Sequence, residues 1–377
     1  MFFVVTSKKM YLCRQNILPL VLYMKKHFTQ LLYLSLLACL LSCKKGESTQ
    51  GHESQYVSYE NTFPNEVQVG LEGEQLLTDT VIFKAFGGQL LVKDSILVIK
   101  TQGAPLMLFQ LPEVRFLGYK GGVGNGPKEF LYPVLIPSSD EDMICYVYDE
   151  MRCSLFKLYK NKTFFSTLSP LKNEMGVRFI GDISQNEIIY ANMSNYSIAI
   201  TEKLIRGQQV ETRDLAQLTF PSGQEKWYCY IGNLSINRKK DRMVFAYHYY
   251  KKIKFMKLNG EVIRIIDFPN TQGYDEKTIG MPDGLDMNVS HYTSISAGDK
   301  SVYLSYSGRK PEDVRKEWET GLYYQYMEQY DWDGNPEQTY KLDKFGFTTV
   351  DEKNGYIYLL SSAFDDPLFR FKLKCHF

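Results

Sequence analysis

Residues 121–133 read GGVGNGPKEFLYP, with four glycines and a proline inside seven positions. A glycine-rich loop cradles phosphate when it follows a strand and opens a helix whose first amides face the anion. Here Gly122, Gly124 and Gly126 are spaced G-x-G-x-G, Lys128 follows a proline, and no Ser or Thr comes after it. The next segment, FLYPVLIP, carries two prolines and β-forming residues, so no helix opens there. The stretch therefore reads as a corner between strands, where glycine supplies backbone conformations other residues avoid.

Other chemistry is sparse. Past the leader the histidines worth weighing are His248, His291 and His376. His248 sits in the aromatic strand VFAYHYYK and reads as structural, whereas His291 opens an inner strand and is expected to look into a central channel. One histidine with scattered carboxylates such as Asp182 and Asp286 makes neither a metal site nor a triad. Neither G-x-S-x-G nor H-E-x-x-H occurs. No catalytic residue, metal ligand or cofactor is assigned, although a calcium or other divalent ion in the channel stays open. Cys145 and Cys153 flank a tight turn, and the strand register decides whether they can bond. A formal net charge of +1 removes the electrostatic footprint of a nucleic-acid binder.

These residues must be positioned by strands. The chain has 28 Tyr and 23 Phe, residues that favour β structure. From about Leu76 onward, short apolar runs alternate with turn residues. One hairpin unit recurs at 92–101, 137–149, 183–193, 236–248, 295–307 and 350–362, a spacing suited to propeller blades. Runs such as MICYVY and YIYLL scarcely alternate, as expected for strands covered on both faces. The fold class expected is all-β: a six-bladed propeller of four-stranded antiparallel blades. An N-terminal strand within 76–86 is expected to complete the last blade and close the ring.

In a four-stranded blade, the second-to-third turns and the blade-to-blade crossovers share one end. The long segments gather there: 118–130, 214–228, 269–290 and the insertion 308–324, GRKPEDVRKEWETGLYY. The insertion reads as a short helix that starts at Pro311 and stops at Gly321. Loops on a rigid scaffold commonly carry function. Trp227, Arg309, Trp318, Tyr323, Tyr324 and His291 are accordingly the candidate ligand-binding residues, against the alternative that the aromatics pack the insertions down.

The glycine corner and the two strands after it, LGYKGGVGNGPKEFLYPVLI…DMICYVYDEMRCSLFKL, resemble an NHL-type propeller repeat. The matching positions are Gly124, Gly126, Pro127, Phe130, Pro133, Asp149 and Arg152. The same corner is similar to that of TolB-like six-bladed propeller lipoproteins of Bacteroidetes. The resemblance implies the propeller and an interblade plug at Phe130, and carries little about activity.

Residues 24–43, MKKHFTQLLYLSLLACLLSC, have a basic start and an apolar stretch shorter than the about 20 residues a membrane span needs. Leu40-Leu41-Ser42-Cys43 resembles a bacterial lipobox, which makes Cys43 the expected lipidation site. The expected domains are an upstream extension at 1–23, a signal peptide at 24–42, a flexible tether at 43–64 and the propeller at 65–377. The location expected is the bacterial cell envelope, with the lipid in the outer membrane. The leading function is a binding module for a protein, peptide or glycan. A metal-assisted hydrolase or lyase, lactonase-like, is the alternative, and a purely structural spacer is a third.

Overall fold

The structure, a computed structural model, describes residues 56–58, 69–77, 81–83, 87–167, 171, 177–184, 186–194, 197–222, 226–268, 271–276, 286–321 and 323–373. Cys43, the 1–23 and 24–42 segments, most of the 43–64 span and His376 lie outside these residues.

Six four-stranded antiparallel units build an all-β ring. Their innermost strands are Gln89–Lys93, Pro133–Pro137, Val177–Ile183, Gly232–Asn237, Ser290–Ala297 and Phe347–Asp351, here taken as blades one to six. Each inner strand neighbours the next, and the sixth neighbours the first, which closes the circle. The recurring hairpins of the sequence are the first two strands of each blade. Second strands lie between flanking blades on both faces. All seven residues of Met143–Asp149 are buried, which explains an apolar run that does not alternate.

Closure comes from Glu74–Gln75, which pairs antiparallel with Phe369 and Arg370 of blade six. Leu76 extends the pairing by donating its N–H to the Leu368 carbonyl at 2.9 Å. The closing pairs therefore sit just ahead of the apolar segment expected to supply them. Two described residues further along that segment pack against the ring: Val81 is buried in the core shared by blades six and one, and Phe83 stacks on Phe109 with centroids 6.5 Å apart.

Two further N-terminal strands go beyond the expected pattern. Tyr56–Ser58 runs parallel to Ile265–Asp267 on blade four, inside the span expected as tether. Val69–Leu71 runs parallel to Tyr340–Leu342 on blade five. The N-terminal segment thus covers three successive outer edges, the places where unpaired N–H and C=O groups would otherwise recruit other chains.

Polar seams fix one blade against the next. Gln89 exchanges both amide hydrogen bonds with the Leu135 backbone, each at 2.7 Å. Arg238 reaches from blade four to Asp182 at 2.5 Å and Glu187 at 2.9 Å on blade three. Glu352 accepts from the Lys300 and Ser301 amides of blade five at 2.8 and 2.9 Å. The Cys145–Cys153 pair is resolved by register. Cys145 lies opposite Leu158, while Cys153 lies in the turn before Ser154, and both thiols are free. Burial pushes the Cys145 thiol up to about 12.

Candidate functional site

The glycine corner spends its polar groups on itself. Gly122–Val123 pairs with Glu129–Phe130 as a two-residue parallel ladder. The Gly124 N–H donates to the Phe130 carbonyl at 3.2 Å, and the Gly126 N–H donates to the Glu129 carboxylate at 2.7 Å. Arg152 collects the carbonyls of Gly124, Gly126 and Glu129 at 3.5, 3.1 and 2.5 Å. Asp149, fully buried, accepts from the N–H groups of Leu131, Tyr132 and Met151. A Cβ at Gly121, where φ is +72°, would stand 2.3 Å from the Phe130 ring. Phe130 itself is 1% exposed and packs edge-on to Phe156 and Phe164. Amides and carbonyls engaged this way hold a corner and leave no cradle for phosphate.

At the same end of the ring stands the helix Pro311–Glu319, with proline at its first turn, Glu312 and Asp313 beside its N-terminal amides, and Gly321 at φ +77° just past its end. The helix brings four predicted residues together. Arg309 pairs with Glu317, donates to the Tyr324 carbonyl and stacks its guanidinium 4.1 Å over the Tyr324 ring. Trp318 lies 6.5 Å from Tyr323, whose ring meets Phe345 at 5.4 Å. Arg309 and the tyrosines hold the insertion down, while Trp318 stays 50% exposed. Trp227 does not join them. It sits on the crossover between blades three and four, against the core beside Tyr228.

His291 is placed away from the channel, contrary to the expectation. It is 2% exposed, its Nε2 meets the Gln272 carbonyl at 2.8 Å, and its ring lies 6.0 Å from Tyr306. Two register shifts near the start of its strand, around Tyr292, break the alternation that would have pointed it inward. Burial lowers the His291 pKa to about 4. His248 is also held low by burial, with its Nδ1 3.2 Å from the Tyr292 carbonyl. Asp286, the carboxylate nearest this region in sequence, is engaged by Tyr249 and by Asn288. Lys251 lies over Phe268 and Tyr306 at 4.1 and 4.5 Å and 3.8 Å from Glu328, a carboxylate that burial raises. Among the described residues, no three His, Cys, Asp or Glu side chains gather as a metal site.

The channel supplies a feature that the sequence reading missed. Inner strands of all six blades line a cavity of about 380 Å³. Its walls carry hydroxyls and amides, Ser138, Asn233, Ser235, Thr293, Ser294, Ser296, Thr348 and Thr349, and two amines, Lys93 and Lys100. Lys93 donates to the Ser138 carbonyl at 2.9 Å. Ser294 meets Thr348 at 3.1 Å and Ser305 at 2.9 Å, tying blade five to blade six. Phe179 and Phe347 open onto the same space, 37% and 41% exposed.

The TolB-like 6-blade propeller-like family model matches residues 74–353. The chain belongs to that family. The match begins at Glu74, the residue that opens the closing strand of this TolB-like propeller. An exported protein of Bacteroides fragilis is similar in fold, with a TM-score of 0.53 at 12% identity over 85% of this chain and 100% of its own. A DUF4221-family protein of Bacteroides vulgatus has a TM-score of 0.50 at 11% identity, over 81% of this chain and 98% of its own. Identities this low relate these proteins to the TolB-like chain by fold alone. No curated protein matches the sequence.

Proposed function

We propose that the protein is a lipid-anchored protein of the bacterial cell envelope whose propeller binds a protein, peptide or glycan at its elaborated end. The observation that carries the reading is the difference between the two ends of the ring. At one end, Asp94-Ser95 alone joins the first two strands of blade one. At the other, the insertion between Arg309 and Gln325 bears a helix with a half-exposed Trp318. A rigid ring that elaborates one face is arranged to present that face. The exported relative with the same fold supports an envelope location. The lipobox-like ending at Cys43 supports the anchor, with the outer membrane as its site. Among the described residues, the channel walls favour binding over metal-assisted hydrolysis, because their polar groups are hydroxyls, amides and amines rather than the carboxylates and imidazoles a divalent ion needs.

The test removes residues 311–319 from the full chain and measures retention of envelope glycans and proteins on the purified protein. Retention that falls while the thermal unfolding temperature holds supports the reading. Unchanged retention contradicts it.

A further inference from the structure

The channel walls bring amine, aromatic and hydroxyl groups to one cavity. We infer that the channel mouth is a binding site for an acidic saccharide, with Lys100 receiving the carboxylate and Phe179 and Phe347 flanking the sugar ring. This rests on the reading of the propeller as a binding module and names its ligand class.

Three observations converge. Lys100 is cross-strand partner to Gln89, the first residue of the inner strand of blade one, and so stands at the elaborated end. It lines the cavity and, among the described residues, makes no hydrogen bond or ion pair; burial lowers its pKa and the charge of Glu150 offsets that only in part. A partly dehydrated amine with no direct hydrogen-bonding partner is relieved by a bound anion.

Phe179 and Phe347 stand on blades three and six, opposite each other in a six-membered ring. Aromatic faces carry negative charge density and suit the C–H face of a sugar. Phe179 is also strained: its φ is +38°, and it is the unpaired residue where the register shifts between Arg178 and Ile180. A bulky residue at positive φ is a costly conformation, and a bulge re-aims a side chain. Here the bulged residue opens into the channel.

The remaining wall is hydroxylic. Ser294 and Thr348 are fixed by mutual bonds, whereas Ser235 of blade four has no partner among the described residues and faces the same cavity. The volume of about 380 Å³ lies within the roughly 300–1,000 Å³ usual for small-molecule pockets. Amine, aromatic faces and hydroxyls together match a uronate better than a bare anion or a neutral sugar.

The experiment titrates the full chain, purified in detergent, with trigalacturonate, galactotriose and inorganic phosphate in a calorimeter. Saturable binding of trigalacturonate is expected, with galactotriose and phosphate at least about tenfold weaker. Lys100→Met, which keeps the aliphatic stem, should weaken trigalacturonate about tenfold or more. Lys100→Arg should retain most of the affinity, and Phe347→Ala should weaken the acidic trimer with no change in unfolding temperature. No saturable binding, equal binding of galactotriose or phosphate, or an affinity indifferent to Lys100→Met overturns the inference. Retention that depends on residues 311–319 but not on Lys100, with no uronate bound, sinks this site and leaves the binding reading standing. Loss of both sinks the two together.

Discussion

Arg152 shows how one side chain can hold a corner. Its guanidinium satisfies three carbonyls of the glycine loop, so Arg152→Ala leaves them without a charged donor. Hydrogen bonds to charged groups are each worth about 1.5–3 kcal/mol. Partial compensation by water gives an expected loss of about 2–4 kcal/mol, read as a lower thermal midpoint. Arg152→Lys should recover only part, because one ammonium cannot span the fork. His291 gives a pH signature. Its folded pKa is about 4 against 6.5 for the free side chain, so between those values the unfolded chain takes a proton that the folded one refuses. Stability should be full above about pH 6.5 and fall by up to roughly 3 kcal/mol as pH drops to about 4. His291→Gln, which can still donate to the Gln272 carbonyl, should flatten that part of the pH–midpoint curve. An equal slope in both proteins would place the proton uptake elsewhere.

At the scale of elements, the hairpins were readable because burial on both faces leaves a plain mark: apolar runs at a regular spacing. The glycine corner was readable because backbone geometry dictates its residue types. The closing strand lies a few residues ahead of the apolar run, since Glu74 and Gln75 are polar and pair through their backbones, with an Arg370–Glu74 ion pair at 2.7 Å. The parallel strands at Tyr56–Ser58 and Val69–Leu71 left no periodic signal, being only three residues each. Phe179 was hidden because a bulge, invisible in the sequence, decides its direction. The hydroxyl lining was hidden too, because single Ser and Thr residues gain meaning only when six strands converge. Closure makes a sharp prediction. A chain starting at residue 65 gives up only the three-residue strand on blade four, keeps the blade-five strap and the closing strand, and should unfold near the wild-type temperature. A chain starting at residue 78 bares the outer edges of blades four, five and six. Its midpoint should fall by about 10 °C, and light scattering should show self-association.

For the whole molecule, the ring is a rigid carrier with one plain end and one elaborated end, and its proposed attachment and recognition are separable. Cys43→Ser should abolish incorporation of labelled palmitate and move the protein from the membrane to the soluble fraction. The unfolding temperature should not change. Palmitate retained by the variant would remove the anchor from the account. The claim that matters most is that the elaborated end meets a partner. It is tested by photo-crosslinking in living cells, with a benzoylphenylalanine at Trp318 on the insertion or at Asn161 in a turn of the opposite end. The account predicts discrete adducts from position 318 and none from position 161. No adduct at 318, or the same adducts from both positions, would contradict it.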